Sequence, residues 1–293
     1  MHITANGIRI HYTLEGAQSA PFITMSHSLA TDLTMWEPQM EALLKSYRVL
    51  RYDTRGHGKT SAPQGPYSLE MLAQDTLGLL QALGVEKTVF MGISMGGMIG
   101  QVLGFNAPEV LSGLILCDTS SRIPDEAKPV WNERIDTVQK KGMESQVEST
   151  IERWFTPRFQ DQHPEVIHKV KAMIRATSAR GYIGCAHAIR DLNLTDRISD
   201  IKAPTMILVG EEDPGTPVSA SVAIHEKIRD SELVVLKSAA HLSNIEQREA
   251  FNKAVLNFLQ KNGCPVHQRP GGLPSPKTAR GPLRLPARRS GPP

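Results

Sequence analysis

The sequence predicts an α/β fold in which a mostly parallel sheet carries helices on both faces and a helical cap. Three observations support this prediction. The chain has 293 residues and is 40% hydrophobic, which is enough for one sizeable core. Short apolar runs alternate with segments of helical spacing, as they do in parallel sheets with crossover helices. Residues 122–195 show amphipathic helical periodicity without a strand pattern, which indicates an inserted cap.

The individual elements follow from this alternation. An Asn6-Gly7 turn before the alternating residues 8–14 predicts a hairpin. Apolar runs predict further strands at residues 22–25, 47–52, 87–91, 111–117, 205–209 and 233–236. Helical spacing predicts helices at residues 71–83, 95–106, 218–228 and 246–260. We therefore assign residues 1–121 and 196–261 to the core, and residues 122–195 to the cap.

Charge is divided unevenly along the chain. The formal net charge is +3, but residues 262–293 contain six basic side chains and no acidic one. Residues 1–261 therefore keep 27 basic and 30 acidic residues, so no basic face for nucleic acid is expected there. Residues 262–293 also contain eight prolines and no aromatic residue, which leaves too little apolar surface for packing. We expect this Pro/Arg-rich tail to be disordered.

Composition and motifs argue against several classes of protein. No apolar run is long enough to span a membrane, and the first residues lack the pattern of a secretory signal. Cys117, Cys185 and Cys264 are odd in number and widely spaced, so neither a disulfide framework nor a zinc site is indicated. No HExxH motif occurs, and no GxGxxG motif follows the first strand. We expect a cytoplasmic protein that needs no metal and no cofactor.

Residues 92–96 read Gly-Ile-Ser-Met-Gly between a predicted strand and a predicted helix. A sharp strand-to-helix turn that raises a serine above the sheet needs small residues two positions before and after it. Gly92 and Gly96 meet that requirement. The N-terminus of the following helix would favour an oxyanion at this place. We predict that Ser94 is a nucleophile.

A serine nucleophile needs a general base and a carboxylate that orients the base. His241 follows the last predicted strand and precedes the last helix, so it can reach over the edge of the sheet. Asp213 lies in the loop after the strand at residues 205–209. Asp118, which ends the strand at residues 111–117, is the alternative acid. The predicted triad is Ser94, Asp213 and His241, in the chain order nucleophile, acid, base.

Acyl transfer also needs two backbone donors for the developing oxyanion. We predict the N–H of Met95, directly after the nucleophile, as the first donor. The second should come from the loop after the strand at residues 22–25, where residues 26–29 read Ser-His-Ser-Leu. We assign it to Leu29 and expect His27 to brace the loop.

These motifs resemble those of the α/β-hydrolase superfamily, including Asp-Thr-Arg-Gly-His-Gly at residues 53–58. Longer stretches resemble bacterial 3-oxoadipate enol-lactone hydrolases, namely residues 26–36, 131–136, 153–157, 181–191 and 239–247. The likeness covers residues 5–260, and it includes the cap, whose loops and insertions set substrate choice in a shared fold. It implies a serine hydrolase that opens a five-membered enol-lactone bearing a carboxymethyl group through an acyl-enzyme.

The free carboxylate of such a substrate calls for a cation. Arg134 and Arg190 lie in the cap stretches that carry the resemblance, and a guanidinium suits bidentate binding of a carboxylate. Each could instead pair with an acid on its own helix, as Arg190 with Asp191. Trp131 and Trp154 are predicted either to line the pocket or to fill the core of the cap.

Two other functions stay open at this point. A broad-specificity carboxylesterase would use the same triad with a more open and more apolar pocket, and with peroxide replacing water it could act as a perhydrolase. A hydrolase-derived receptor would bind a small ligand with little or no turnover. Turnover of the enol-lactone separates lactonase from esterase, whereas stabilisation by a ligand without a burst of product would identify a receptor. In each case the partner is a small molecule.

Overall fold

The structure is a computed structural model, and it describes residues 1–263. The strands in this range are β1 (His2–Ala5), β2 (Ile8–Glu15), β3 (Phe22–Ser26), β4 (Arg48–Tyr52), β5 (Thr88–Ile93), β6 (Leu111–Cys117), β7 (Thr205–Gly210) and β8 (Glu232–Leu236). They form one sheet in the order β1-β2-β4-β3-β5-β6-β7-β8. The pairs β1–β2 and β2–β4 are antiparallel, and the other neighbouring pairs are parallel.

The hydrophobic pattern of the strands explains their places in the sheet. Every residue of β5 and β7 is buried, as expected for parallel strands that are covered on both faces. The hairpin between β1 and β2 turns at Asn6 and Gly7, whose φ angles are 45° and 75°. Positive φ at both central residues is what a tight two-residue hairpin turn needs.

Helices cover the sheet and form the block that follows β6. They are α1 (Glu37–Leu43), α2 (Leu69–Ala82), α3 (Met95–Asn106), α4 (Lys128–Lys141), α5 (Val147–Trp154), α6 (Pro157–Gln162), α7 (Pro164–Ala176), α8 (Ala179–Arg190), α9 (Val218–Lys227), α10 (Ser243–Glu246) and α11 (Arg248–Lys261). α1 packs against α11, while α2 packs against α3. The predicted α/β fold with a mostly parallel sheet is confirmed.

The inserted segment, residues 122–195, contains α4 to α8, and none of the described strands of the sheet lies within it. An isolated β-bridge between Arg122 and Asn193 joins its two ends. An insertion into a continuous core needs its ends to meet in this way. The division into core and cap stays a prediction.

Some element boundaries differ from the predicted ones. The helix predicted at residues 246–260 is two helices, because Gln247, with φ −120° and ψ 48°, interrupts the helical backbone between α10 and α11. Helix α2 begins two residues earlier than predicted, since the side chain of Ser68 caps it by accepting a hydrogen bond from the N–H of Met71. The short helix α1 was not predicted.

Two further expectations concern the ends of the chain and membranes. The predicted tail, residues 262–293, lies outside the described residues except for Asn262 and Gly263. Among residues 1–263, no helix combines the length and the apolar character needed to cross a bilayer.

Candidate active site

The residues predicted to act together lie at one edge of the sheet. Ser94 follows β5, Asp213 follows β7 and His241 follows β8, so all three extend from the carboxyl ends of parallel strands. A cavity of about 770 Å³ opens at this edge. Ser94 and His241 line it together with residues of the cap.

Ser94 occupies a strained turn. Its φ is 56° and its ψ is −117°, a conformation that non-glycine residues rarely adopt. A Cβ atom on Gly92 would overlap the carbonyl of Gly96, and one on Gly96 would overlap the carbonyl of Ser26. The glycines two positions before and after the serine are therefore required by the backbone. Because the surrounding packing enforces the turn, the hydroxyl is presented above the sheet.

The imidazole of His241 is held by the carboxylate of Asp213. Nδ1 of His241 lies 2.7 Å from Oδ2 of Asp213, and both side chains are buried. Oδ1 of Asp213 accepts hydrogen bonds from the N–H groups of Gly215 and Thr216, at 2.8 and 3.0 Å. The Thr216 hydroxyl donates to Oδ2 at 2.5 Å. With this many donors, Asp213 is fixed as an acceptor for the Nδ1–H of the imidazole.

The two groups shift each other's pKa. Burial disfavours the charged imidazole, but the Asp213 carboxylate, with a smaller contribution from Asp118, outweighs burial and raises the pKa of His241 above its ordinary value of 6.5. Burial alone would raise the pKa of Asp213. The charge of His241 and the hydrogen bonds from His241 and Thr216 outweigh burial and lower the pKa of that carboxyl. Among residues 1–263 the Ser94 hydroxyl makes no hydrogen bond, so its contact with His241 has to tighten before a proton can move.

The alternative acid, Asp118, faces other partners. Its Oδ1 accepts from the N–H of Gly210 at 2.8 Å, and its Oδ2 accepts from the Ser243 hydroxyl at 2.5 Å. Burial, together with the nearby charge of Asp213, raises the pKa of Asp118 well above its usual range. No hydrogen bond joins it to His241 within residues 1–263. The geometry thus favours Asp213 over Asp118 as the acid.

The two predicted oxyanion donors belong to the nucleophile turn and to the loop after β3. Met95 is the first residue of α3, and its N–H has no partner within the helix at that position. Leu29 lines the cavity in the loop after β3. The Nδ1 of His27 lies 2.8 Å from the carbonyl of Ser28, and its Nε2 accepts from the N–H of Thr54 at 2.9 Å. His27 therefore braces this loop as a neutral imidazole that carries its proton on Nδ1.

Three of the four predicted substrate-binding residues line the cavity, namely Trp131, Arg134 and Trp154. The fourth, Arg190, does not. Its Nε and Nη2 donate to the carboxylate of Asp191 at 2.9 and 2.8 Å, and its Nη1 donates to Asn132 at 3.0 Å. The prediction for Arg190 is corrected accordingly: its cation is paired on the surface of the cap.

Arg153, on α5, lines the cavity and was not predicted. Its Nη2 donates to the Thr150 hydroxyl at 3.2 Å. Burial and the positive charge of Arg134 lower the pKa of Arg153 to about 10. The guanidinium of Arg134 stacks over the ring of Trp131 at 4.7 Å. Neither arginine forms an ion pair within residues 1–263, although the charge of Glu152 acts on Arg153 from a distance.

The cap is tied directly to the loop that carries His241. The ring of Trp154 stacks on the imidazole, with 6.1 Å between the ring centroids. Glu246 accepts hydrogen bonds from the N–H and the hydroxyl of Thr156 through Oε1, and from the N–H of Ala240 through Oε2. Glu246 therefore links the loop that carries His241 to the cap through hydrogen bonds.

A family model described as the alpha/beta hydrolase fold matches residues 21–247. The chain belongs to the α/β hydrolase family. It is 36% identical over 259 residues to 3-oxoadipate enol-lactonase 2 of Acinetobacter baylyi, covering 88% of this chain and 96% of that protein.

Solved structures of other α/β hydrolases match over most of the chain. The enol-lactonase of Burkholderia xenovorans LB400 has a TM-score of 0.86 and 36% identity, with 89% of this chain and all of that one covered. A thermophilic esterase of Thermogutta terrifontis, solved with malate bound, has a TM-score of 0.85 and 30% identity, with 89% and 99% covered.

For this α/β hydrolase, sequence reasoning overlooked two residues of the site. Arg153 is the first residue of the stretch 153–157, which carries part of the family resemblance. That stretch is the sequence signal that could have identified Arg153 as a site residue. Glu246 lies five positions after His241, and no local pattern connects it with Thr156, 90 positions earlier.

Proposed function

We propose that this protein hydrolyses a small carboxylic lactone that bears a free carboxylate, most of all 3-oxoadipate enol-lactone, through an acyl-enzyme on Ser94. One observation carries the proposal. The cavity that contains Ser94 and His241 is also lined by Arg134 and Arg153, neither of which forms an ion pair within residues 1–263. The similarity to enol-lactonases over most of the chain supports it.

In the first step, His241 acts as the general base. Its Nδ1–H is held by Asp213, so Nε2 is free to accept the proton of the Ser94 hydroxyl. Ser94 Oγ then attacks the lactone carbonyl carbon, and the carbonyl oxygen becomes an oxyanion. The N–H groups of Met95 and Leu29 are the donors for this oxyanion.

In the second step, the tetrahedral intermediate collapses and the ring C–O bond breaks. The leaving oxygen takes the proton from the imidazolium of His241 and departs as an enol, which is a better leaving group than an alkoxide. Since the enol belongs to the ring, it stays attached to the acyl group on Ser94. Conversion of the enol to its ketone discourages reclosure, and a water activated by His241 then hydrolyses the acyl-enzyme.

The two arginines would bind the carboxylate that does not react. Arg153 is partly buried and close enough to Arg134 for their charges to repel, which lowers the pKa of Arg153 to about 10. It stays charged at neutral pH, and a bound anion would relieve the repulsion. Malate, the molecule bound in the esterase relative, is itself a dicarboxylate. A substrate carboxylate would therefore give these two guanidiniums the ion-pair partner that they lack within residues 1–263.

A carboxylesterase of broader specificity is the second candidate. The volume of the cavity, about 770 Å³, lies in the range of pockets that enclose drug-sized ligands, so esters larger than a five-membered lactone would fit. The likeness to the thermophilic esterase points the same way. No comparable observation favours the receptor alternative.

Replacing Arg153 with glutamine tests the carboxylate site. We expect kcat/KM for the acidic enol-lactone to fall by roughly 10- to 150-fold, since a hydrogen bond to a charged group contributes about 1.5–3 kcal/mol. The methyl ester of the same lactone should change by less than about threefold, because it offers no anion. Steady-state kinetics on both substrates provides the comparison.

Arg190→Gln is the matched control, because Arg190 is a cap arginine outside the cavity lining. It should leave both rates unchanged. Equal losses on the acid and the methyl ester in Arg153→Gln would make Arg153 a packing residue and would remove the main support for the acidic substrate.

A further inference from the structure

The segment 117–119, where β6 ends, contacts the parts of the chain that carry all three members of the candidate triad. Ser94 and the loops of Asp213 and His241 come from three different strand ends. Nothing in their local sequence fixes their mutual distances. A single group that bonds to more than one of them would therefore set the geometry of the site.

The backbone and one side chain of the segment hold the nucleophile turn. The N–H of Ser94 donates to the carbonyl of Cys117 at 2.8 Å. The hydroxyl of Thr119 donates to the carbonyl of Ser94, also at 2.8 Å. Thr119 packs closely against the turn, since a Cβ atom added to Gly97 would lie only 2.7 Å from the Cβ of Thr119. The strained turn is thus fixed to the end of β6 from both sides.

Asp118 reaches the other two loops with its carboxyl group. Oδ1 accepts from the N–H of Gly210, the last residue of β7 and three positions before Asp213. Oδ2 accepts from the hydroxyl of Ser243, two positions after His241. The side chain is fully buried, and no ion pair to it occurs within residues 1–263.

We propose that Asp118 is a positioning residue, which joins the acid loop and the base loop to the nucleophile turn and so sets the distances within the triad. The inference rests on the proposed function in taking Ser94, Asp213 and His241 as the reacting groups. Asp118 itself touches no substrate. Its φ of 43°, which aspartate tolerates better than most residues, lets the side chain leave β6 between the two loops.

The chemistry of the two contacts defines the informative substitutions. Asparagine has the shape of aspartate: its amide oxygen can accept from Gly210, and its amide nitrogen can donate to the Ser243 hydroxyl. Alanine removes both contacts. If the negative charge of Asp118 is what matters, the asparagine variant should lose as much activity as the alanine variant. If the two hydrogen bonds matter, the asparagine variant should keep much of its activity.

In Asp118→Ala, we expect kcat for p-nitrophenyl acetate to fall about 100-fold with KM changed by less than about threefold, because misplacement of catalytic groups by about 1 Å costs that much in rate. Asp118→Asn should keep at least about a third of kcat, since it keeps both links. Labelling of Ser94 by a fluorophosphonate should slow in parallel with kcat.

A second variant covers the case in which Asp118→Ala fails to fold. Ser243→Ala removes only the link to the base loop, and we expect a loss of about 10-fold in kcat, the equivalent of one hydrogen bond. Ser221→Ala is the matched control, because the Ser221 hydroxyl is also buried but has no hydrogen-bond partner within residues 1–263. It should leave kcat and the labelling rate unchanged.

The positioning role is overturned if Ser243→Ala labels and turns over like the wild type, or if Asp118→Asn loses as much activity as Asp118→Ala. These results are separable from failure of the proposed function. If Ser94 is not the nucleophile, the wild-type protein itself will not carry the label on the peptide that contains residue 94.

Discussion

Ser94→Ala is expected to lower kcat by about 10⁶-fold on every ester or lactone that the protein hydrolyses, by analogy with removal of the nucleophile from another serine hydrolase. The substitution removes the atom that we propose forms the acyl-enzyme and leaves the proposed backbone donors in place. Because the Ser94 hydroxyl makes no hydrogen bond within residues 1–263, the melting temperature should not change. Active-site titration and steady-state kinetics measure the loss.

Covalent labelling provides the control for this result. A fluorophosphonate should add one adduct to the wild-type protein, on the peptide that contains residue 94. Ser219→Ala, at another serine that lines the cavity, should leave that adduct in place. An adduct on any other serine would contradict the assignment of the nucleophile.

Asp213→Asn is expected to lower kcat by on the order of 10⁴-fold with little change in fold. The carboxylate of Asp213 accepts the Nδ1–H of His241. An amide in its place can donate to Nδ1, which puts the proton on Nε2 and prevents that nitrogen from accepting the proton of Ser94. Asp118→Asn should retain at least about a third of the rate, and the opposite order of losses would make Asp118 the acid.

The pH dependence gives an independent check on the same pair. Only the neutral imidazole can act as a base, so kcat/KM should fall as pH drops below the pKa of His241. The Asp213 carboxylate raises that pKa above 6.5, which places the wild-type midpoint above this value. In Asp213→Asn the residual activity should persist to lower pH, because the carboxylate that is hydrogen-bonded to the imidazolium is gone. An unchanged midpoint would show that Asp213 does not interact with the base.

The nucleophile turn and the placement of the candidate triad could be predicted because their requirements are local. Gly92 and Gly96 are needed by a turn that forces the serine to a φ of 56°, and such a turn occurs between a strand and a helix. Asp213 and His241 each follow a strand of a parallel sheet, and the carboxyl ends of such strands lie at one edge. The strand pattern was therefore enough to place the three residues together.

The residues that line the substrate cavity could not be predicted in the same way. Arg134, Arg153 and Arg190 lie on three cap helices, and only the packing of those helices decides which guanidinium faces the cavity. Arg190 has Asp191 beside it and pairs there, whereas Arg153 on α5 lines the cavity. The contact between Asp118 and Ser243 spans 125 positions, beyond the range of any local pattern.

The most direct test of the account is the turnover of the acidic enol-lactone by the wild-type protein, compared with its methyl ester and with neutral aryl and alkyl esters. We predict that kcat/KM for the free acid exceeds that for its methyl ester by at least about 10-fold, the effect of one charge-assisted bond to the two arginines. It should also exceed the values for the neutral esters. Faster turnover of neutral aryl or long-chain esters, with little activity on the enol-lactone, would contradict the account and make the protein a carboxylesterase.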